Sequence, residues 1–139
     1  MNTAFNYMYR DGGNNKSYGN VVLAGEITGA QKQRFAEALS EGEYFIASQV
    51  DVPEVFLWDP EAKYDPDDPS TYPEELGAGK YVIWDDMDHA WHEFMDFETT
   101  HAEPTDPRTI EQFVQAFEAA TKAGWEEFEP RSRKVGAKA

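Results

Sequence analysis

The chain opens on an alternation. Phe5, Tyr7 and Tyr9 fall on one side of an extended segment, with Asn6, Met8 and Arg10 on the other, which is the period of a half-buried strand. Residues 11–20 are dense in Gly and Asn, side chains that tolerate positive φ, and predict a turn or loop. Residues 20–25 form a second apolar run, and the two strands are expected to pair as an antiparallel hairpin with a long connection. Thr28 and Gln31 are spaced as a capping box, and Ile27, Gln31, Phe35, Ala38 and Leu39 follow helical spacing. They predict an amphipathic helix over 29–40, ended near Gly42. Residues 44–47 return to an extended pattern, and Pro53 interrupts the apolar positions between Val50 and Trp58, so no single long central strand is expected there.

The pattern then breaks. Residues 59–79 are rich in Pro, Asp and Glu and predict a long exposed acidic loop. Tyr81 to Trp84 read as a strand. Trp91, Glu93, Met95 and Phe97 then alternate with His92, Phe94 and Asp96 as another, after a turn near 85–88. Asp106 and Pro107 suit a helix start, and Ile110, Phe113, Val114, Phe117, Ala120 and Thr121 make one apolar stripe that stops at Gly124. Two such helices bury their stripes most simply on one sheet face. The expected fold is therefore α+β, a mostly antiparallel sheet of four to five strands with two amphipathic helices on one face. Residues 1–129 read as one acidic domain and 130–139 as a basic C-terminal tail.

Charge sharpens this picture. The net charge is −15, yet residues 1–40 carry +1 and the tail +4, so the negative charge is gathered in 41–130. A field of that sign repels nucleic acid and anionic membranes and attracts basic surfaces. No cysteine is present, so disulfide frameworks and thiolate metal sites are excluded. No apolar run approaches the roughly 20 residues of a membrane span, and the first residues lack a signal-peptide pattern, so a cytoplasmic location is expected.

Motifs for chemistry are weak. His89 and His92 with Glu93 suggest a metalloprotease signature, but that signature needs histidines four apart on a helix with Glu between them. Asp86, Asp88, His89, His92 and Glu93 could still assemble a metal site across a turn, with His89 and His92 as the ligands. The plainer reading is hydrogen-bonded residues beside a buried Trp91. The run Asp11 to Lys16 lacks phosphate-loop spacing and reads as a tight turn. Asp65, Asp67 and Asp68 are interrupted by prolines that break calcium-loop geometry. No nucleophile elbow is present, and no cofactor is expected.

The strongest signal is the acidic run Asp85, Asp86, Asp88, Glu93, Asp96, Glu98, Glu103 and Asp106. A merely solvated surface is the simple account of it. The sharper one is that carboxylates on ordered strands imitate the phosphate array of duplex DNA, which carries a charge about every 1.7 Å of axis. Trp58, Tyr64, Tyr72 and Trp84 are the aromatics that could anchor such an interface.

The residues Phe5 to Asp11, Asn14 to Lys16, Gly19 to Val22, Tyr44 to Ile46, and Asp88, His89, Trp91, His92 and Glu93 resemble a small bacterial and phage family of uncharacterised proteins. The resemblance covers about the first hundred residues and implies a shared fold unit without assigning chemistry. Three expectations follow. The first is a non-enzymatic acidic protein, a phage-type inhibitor or nucleic-acid mimic, that binds a basic partner surface, one that normally holds nucleic acid, through Asp85, Asp86, Asp88, Glu93, Asp96, Glu98, Trp58 and Trp84. The second is a metal- or nucleotide-binding domain centred on Asp88, His89, His92 and Glu93. The third is a housekeeping domain.

Overall fold

In the computed structural model, which describes residues 1–58 and 87–128, the opening alternation is realised as β1 (Asn2–Arg10), paired antiparallel to β2 (Lys16–Leu23). The connection is shorter than expected because β2 begins at Lys16, before the apolar run. The Asp11 carboxylate accepts from the Gly13 and Asn15 backbone N–H groups, each at 2.9 Å. Asn14 takes the positive φ that closes the loop.

Helix α1 (Gly29–Ala38) starts on the expected capping box: Gln31 N–H donates to Thr28 Oγ1 at 3.1 Å and Thr28 N–H donates to Gln31 Oε1 at 3.0 Å. A turn at Glu41 and Gly42 leads into the two-residue β3 (Tyr44–Phe45), and a 3-10 turn spans Ala47–Val50. β4 (His92–Thr100) pairs with β1 on one side and β3 on the other, which gives the antiparallel order β2-β1-β4-β3. α2 (Ile110–Ala123) is the last helix among the described residues.

Two details differ from the sequence reading. β4 does not alternate simply. Its register against β1 pairs Asn6 with Asp96 and Tyr7 with Phe94, which leaves Met95 as an extra residue in a bulge. The bulge lets Phe94 and Phe97, three apart, both reach the core ring of Phe5, at 5.7 and 5.6 Å between centroids. It also returns Glu93, Asp96 and Glu98 to the opposite face. Secondly, Asp106 does not cap α2. Thr109 does, in a second capping box with Gln112. Asp106 instead turns inward to Arg108 at 2.8 Å, and Arg108 also donates to the Val50 carbonyl at 2.7 Å and lies over Phe113. Burial alone would raise the Asp106 carboxyl; the hydrogen bonds and charge of Arg108 outweigh it and hold the group below its usual range. The expected strand at 81–84 and the acidic loop at 59–79 lie outside the described residues, as does the basic tail.

The core is aromatic. Phe5 and Tyr7 of β1 meet Phe35 of α1, Phe45 of β3 and Phe113 and Phe117 of α2. Both helices therefore cover the same side of the sheet, as the two stripes required. Trp125 continues past α2 and folds back, its indole donating to the Ala38 carbonyl at 3.2 Å. A second cluster of Tyr9, Phe56, Leu57 and Trp58 extends the core toward β4.

Candidate functional site: the acidic sheet face and its aromatic corner

The sheet face turned away from the helices takes its residues from the even positions of β1 and their partners. Asn6, Met8 and Arg10 lie beside Asn20, Tyr18 and Lys16 of β2, and beside Asp96 and Glu93 of β4. Asn6 Nδ2 donates to Asp96 at 2.7 Å and to Glu98 at 3.2 Å, so one amide orients both carboxylates. Arg10 donates to Glu93 at 2.9 Å. Tyr18, 62% exposed, and Met95, 44% exposed, stand on this face.

Of the proposed partner-binding residues, Glu93, Asp96 and Glu98 therefore share one ordered face. Asp88 does not join them. It accepts from Tyr9 Oη at 2.6 Å; burial, and after it this bond, raise the tyrosine hydroxyl well above its usual range. Trp58 is not an exposed anchor: it is 3% exposed and stacked on Phe56 at 4.0 Å between centroids. It closes the second core cluster, so its indole contributes packing and not contact area. Asp106 points inward, as described above. Asp85, Asp86 and Trp84 lie outside the described residues.

The histidines occupy different environments. His92, the first residue of β4, is fully buried among the rings of Tyr7, Tyr9, Phe45 and Phe56. Its Nε2 accepts from the Val55 backbone N–H at 3.0 Å, which assigns the proton to Nδ1. The Ala90 backbone favours that proton without reaching hydrogen-bond geometry. Burial, reinforced by His89, lowers the His92 pKa to about 3. His89 bridges instead: Nε2 bonds the Arg10 carbonyl at 2.6 Å and Nδ1 accepts from the Trp91 N–H at 3.0 Å. Both ring nitrogens of His89 are thus engaged with the backbone. Glu93 faces the other side of the sheet. Asp88, His89, His92 and Glu93 do not converge on one open site, and among the described residues no group of three or more His, Asp or Glu is placed to hold a metal ion. The turn after β1 offers no free amide pair to a phosphate, because Asp11 already takes the Gly13 and Asn15 N–H groups.

The sequence reading missed the corner where β3 meets β4. Tyr44 pairs in register with Glu93, and its ring lies 6.5 Å from that of Trp91, nearly edge to face. The two half-buried rings line an open cleft of about 470 Å³ with Ser40, Glu41, His89 and Glu127. Trp91 Nε1 donates to Glu127 at 3.1 Å. Partial desolvation, then the charges of Glu43, Glu93 and Glu41, raise the Tyr44 hydroxyl above its usual range. The turn that carries Glu41 is closed by Glu43 N–H donating to the Ser40 carbonyl at 3.0 Å. Its central residues have φ of 54° at Glu41 and 73° at Gly42, a left-handed pair that suits Gly and Asn far better than Glu. Glycine at 42 was a visible signal for the turn; nothing near Trp91 marked it as the opposite wall.

No match was found. That holds against protein-family models, curated proteins and solved structures. The residues of the chain itself are accordingly the basis for a functional reading.

Proposed function

We propose that this protein is a non-enzymatic acidic interaction module whose open sheet face binds a basic partner surface. The observation that carries the reading is the placement of Glu93, Asp96 and Glu98 together on the face that the helices leave open. The electrostatics support it. Among the described residues Asp and Glu outnumber Lys and Arg by 17 to 6, and the three arginines are each committed to an internal ion pair. The remaining surface field is therefore negative and attracts cations over a Debye length of about 8 Å at physiological salt.

A surface that normally holds nucleic acid is the partner this chemistry fits. Two neighbouring carboxylates fixed by one amide on a strand form a short, rigid row of negative charge, which a groove lined with Lys and Arg recognises as it does phosphates. Exposed Tyr18 and Met95 add apolar contact beside the row. Such a module acts by occupancy, as an inhibitor does.

The test is a titration of the full chain with a fluorescent Lys/Arg-rich peptide across a salt series, with duplex DNA as a separate ligand. Binding to the peptide at low salt that weakens steadily as salt rises, with no binding to DNA, supports the proposal. Absence of peptide binding at low salt, or affinity indifferent to salt, overturns it.

A further inference from the structure

We infer that the cleft between Tyr44 and Trp91 is a seat for one cationic side chain of the partner, of the arginine or lysine type. This rests on the proposed binding of a basic surface and names the contact that would give it specificity. Three observations carry it. Two aromatic rings, one from β3 and one from the approach to β4, line the cleft with centroids 6.5 Å apart at 65°, and a ring face attracts a cation within roughly 6 Å of its centroid. Two carboxylates, Glu41 and Glu127, line the same cleft, and Glu127 is held in place by the Trp91 indole. Among the described residues no Lys or Arg lines the cleft, and the His89 ring has both nitrogens engaged, Nδ1 by the Trp91 N–H and Nε2 by the Arg10 carbonyl. Aromatic rings and carboxylates lining one concave site select a positively charged, partly apolar group over a neutral or anionic one. A guanidinium fits best, because it stacks on a ring and still donates to two carboxylates.

Glu41 strengthens the inference. It holds a left-handed backbone at φ 54°, a conformation that Gly adopts freely, Asn and Asp tolerate and other side chains disfavour. A carboxylate kept there, where Asn or Gly would sit without strain, places charge at the rim at the expense of local stability. The cleft also adjoins the acidic face directly, since Tyr44 is the register partner of Glu93.

The experiment follows the Trp91 indole N–H by NMR while the full chain is titrated with N-acetyl-arginine methylamide, N-acetyl-lysine methylamide and neutral N-acetyl-norleucine methylamide. Saturable shifts with the two cations, arginine tighter, and none with norleucine are expected. Glu41→Asn with Glu127→Gln should weaken arginine about tenfold, and Tyr44→Leu about fivefold, while Tyr44→Phe keeps it. Equal response to norleucine, or no change in the Glu41→Asn/Glu127→Gln protein with its fold intact, overturns the inference. A full chain with Arg131, Arg133, Lys134 and Lys138 replaced by Gln separates the sources. Unchanged affinity supports a partner side chain, and marked tightening reassigns the occupant to the chain's own tail. If the small cations fail while the basic peptide still binds in a salt-dependent way, the cleft assignment falls and the acidic-face proposal stands; if both fail, both fall.

Discussion

His92 makes the stability of this fold depend on pH in a calculable way. The imidazole is fully buried, surrounded by four aromatic rings, and its Nε2 is used by the Val55 N–H. Protonation would bury a charge and break that bond, so the native pKa falls to about 3 from the ordinary 6.5. Unfolded chain takes up a proton below about pH 6.5, whereas native protein does not until about pH 3. The unfolded state therefore binds more protons across that window, and stability falls as pH falls through it. The slope approaches about 1.4 kcal/mol per pH unit, which accumulates to about 2 kcal/mol between pH 7.5 and pH 5. The low-pKa carboxyls Asp106, Glu111 and Glu118 titrate mainly below this range, since Arg108 and Arg34 hold them down. Urea unfolding followed by far-UV circular dichroism at half-unit pH steps measures the slope. His92→Gln keeps an acceptor for Val55 and removes the titration. The wild type should lose about 2 kcal/mol more than the variant between pH 7.5 and pH 5. Parallel pH curves for the two proteins would mean that His92 does not set the slope.

Three further expectations concern the scaffold. Gly19→Ala places a Cβ 2.8 Å from Val55 Cγ1 and 2.9 Å from Tyr7 Cζ, and Tyr7 is fixed by a 2.6 Å hydrogen bond to the Pro53 carbonyl; a loss of about 1–3 kcal/mol is expected in urea unfolding. Glu41→Asn relieves the left-handed strain and should raise stability by about 0.5–1 kcal/mol, read as an increase in Tm. Thr109→Ala removes the oxygen that accepts from Gln112 N–H at 3.0 Å and should cost about 1 kcal/mol in unfolding, whereas Pro107→Ala should leave the start of α2 unchanged by hydrogen exchange.

Local signals in the sequence carried most of the fold. The odd positions of β1 became the core face because strand geometry forces side chains two apart onto one side, and Thr28 capped α1 because its hydroxyl and the Gln31 amide satisfy each other's N–H groups. The same signal existed at Thr109 and Gln112, but Asp106 and Pro107 offered a competing start, and only the pull of Arg108 on Asp106 decides between them. What depended on distant partners was not legible. The bulge at Met95 arises from the fit of β4 against β1, so plain alternation placed Phe97 with Glu93 when Phe97 belongs to the core. Trp58 reads as an exposed anchor among acids because the rings that bury it include Tyr9, which meets it edge to face from 49 positions earlier in the chain. The cleft of Tyr44 and Trp91 joins residues from either side of the acidic stretch, and no local pattern announces it. The sequence offers Glu93, Asp96 and Glu98 only as members of one acidic run; their shared face is a product of the bulge.

The central claim is that carboxylates on the open sheet face bind a basic partner. Its most direct measurement is the logarithmic salt dependence of affinity for a Lys/Arg-rich peptide, compared between the wild type and Asp96→Asn/Glu98→Gln. Asn6 can still donate to both replaced side chains, so the fold and the face are retained. The account requires weaker binding at low salt and a shallower salt slope in the double variant. Identical affinity and slope in the two proteins would contradict it.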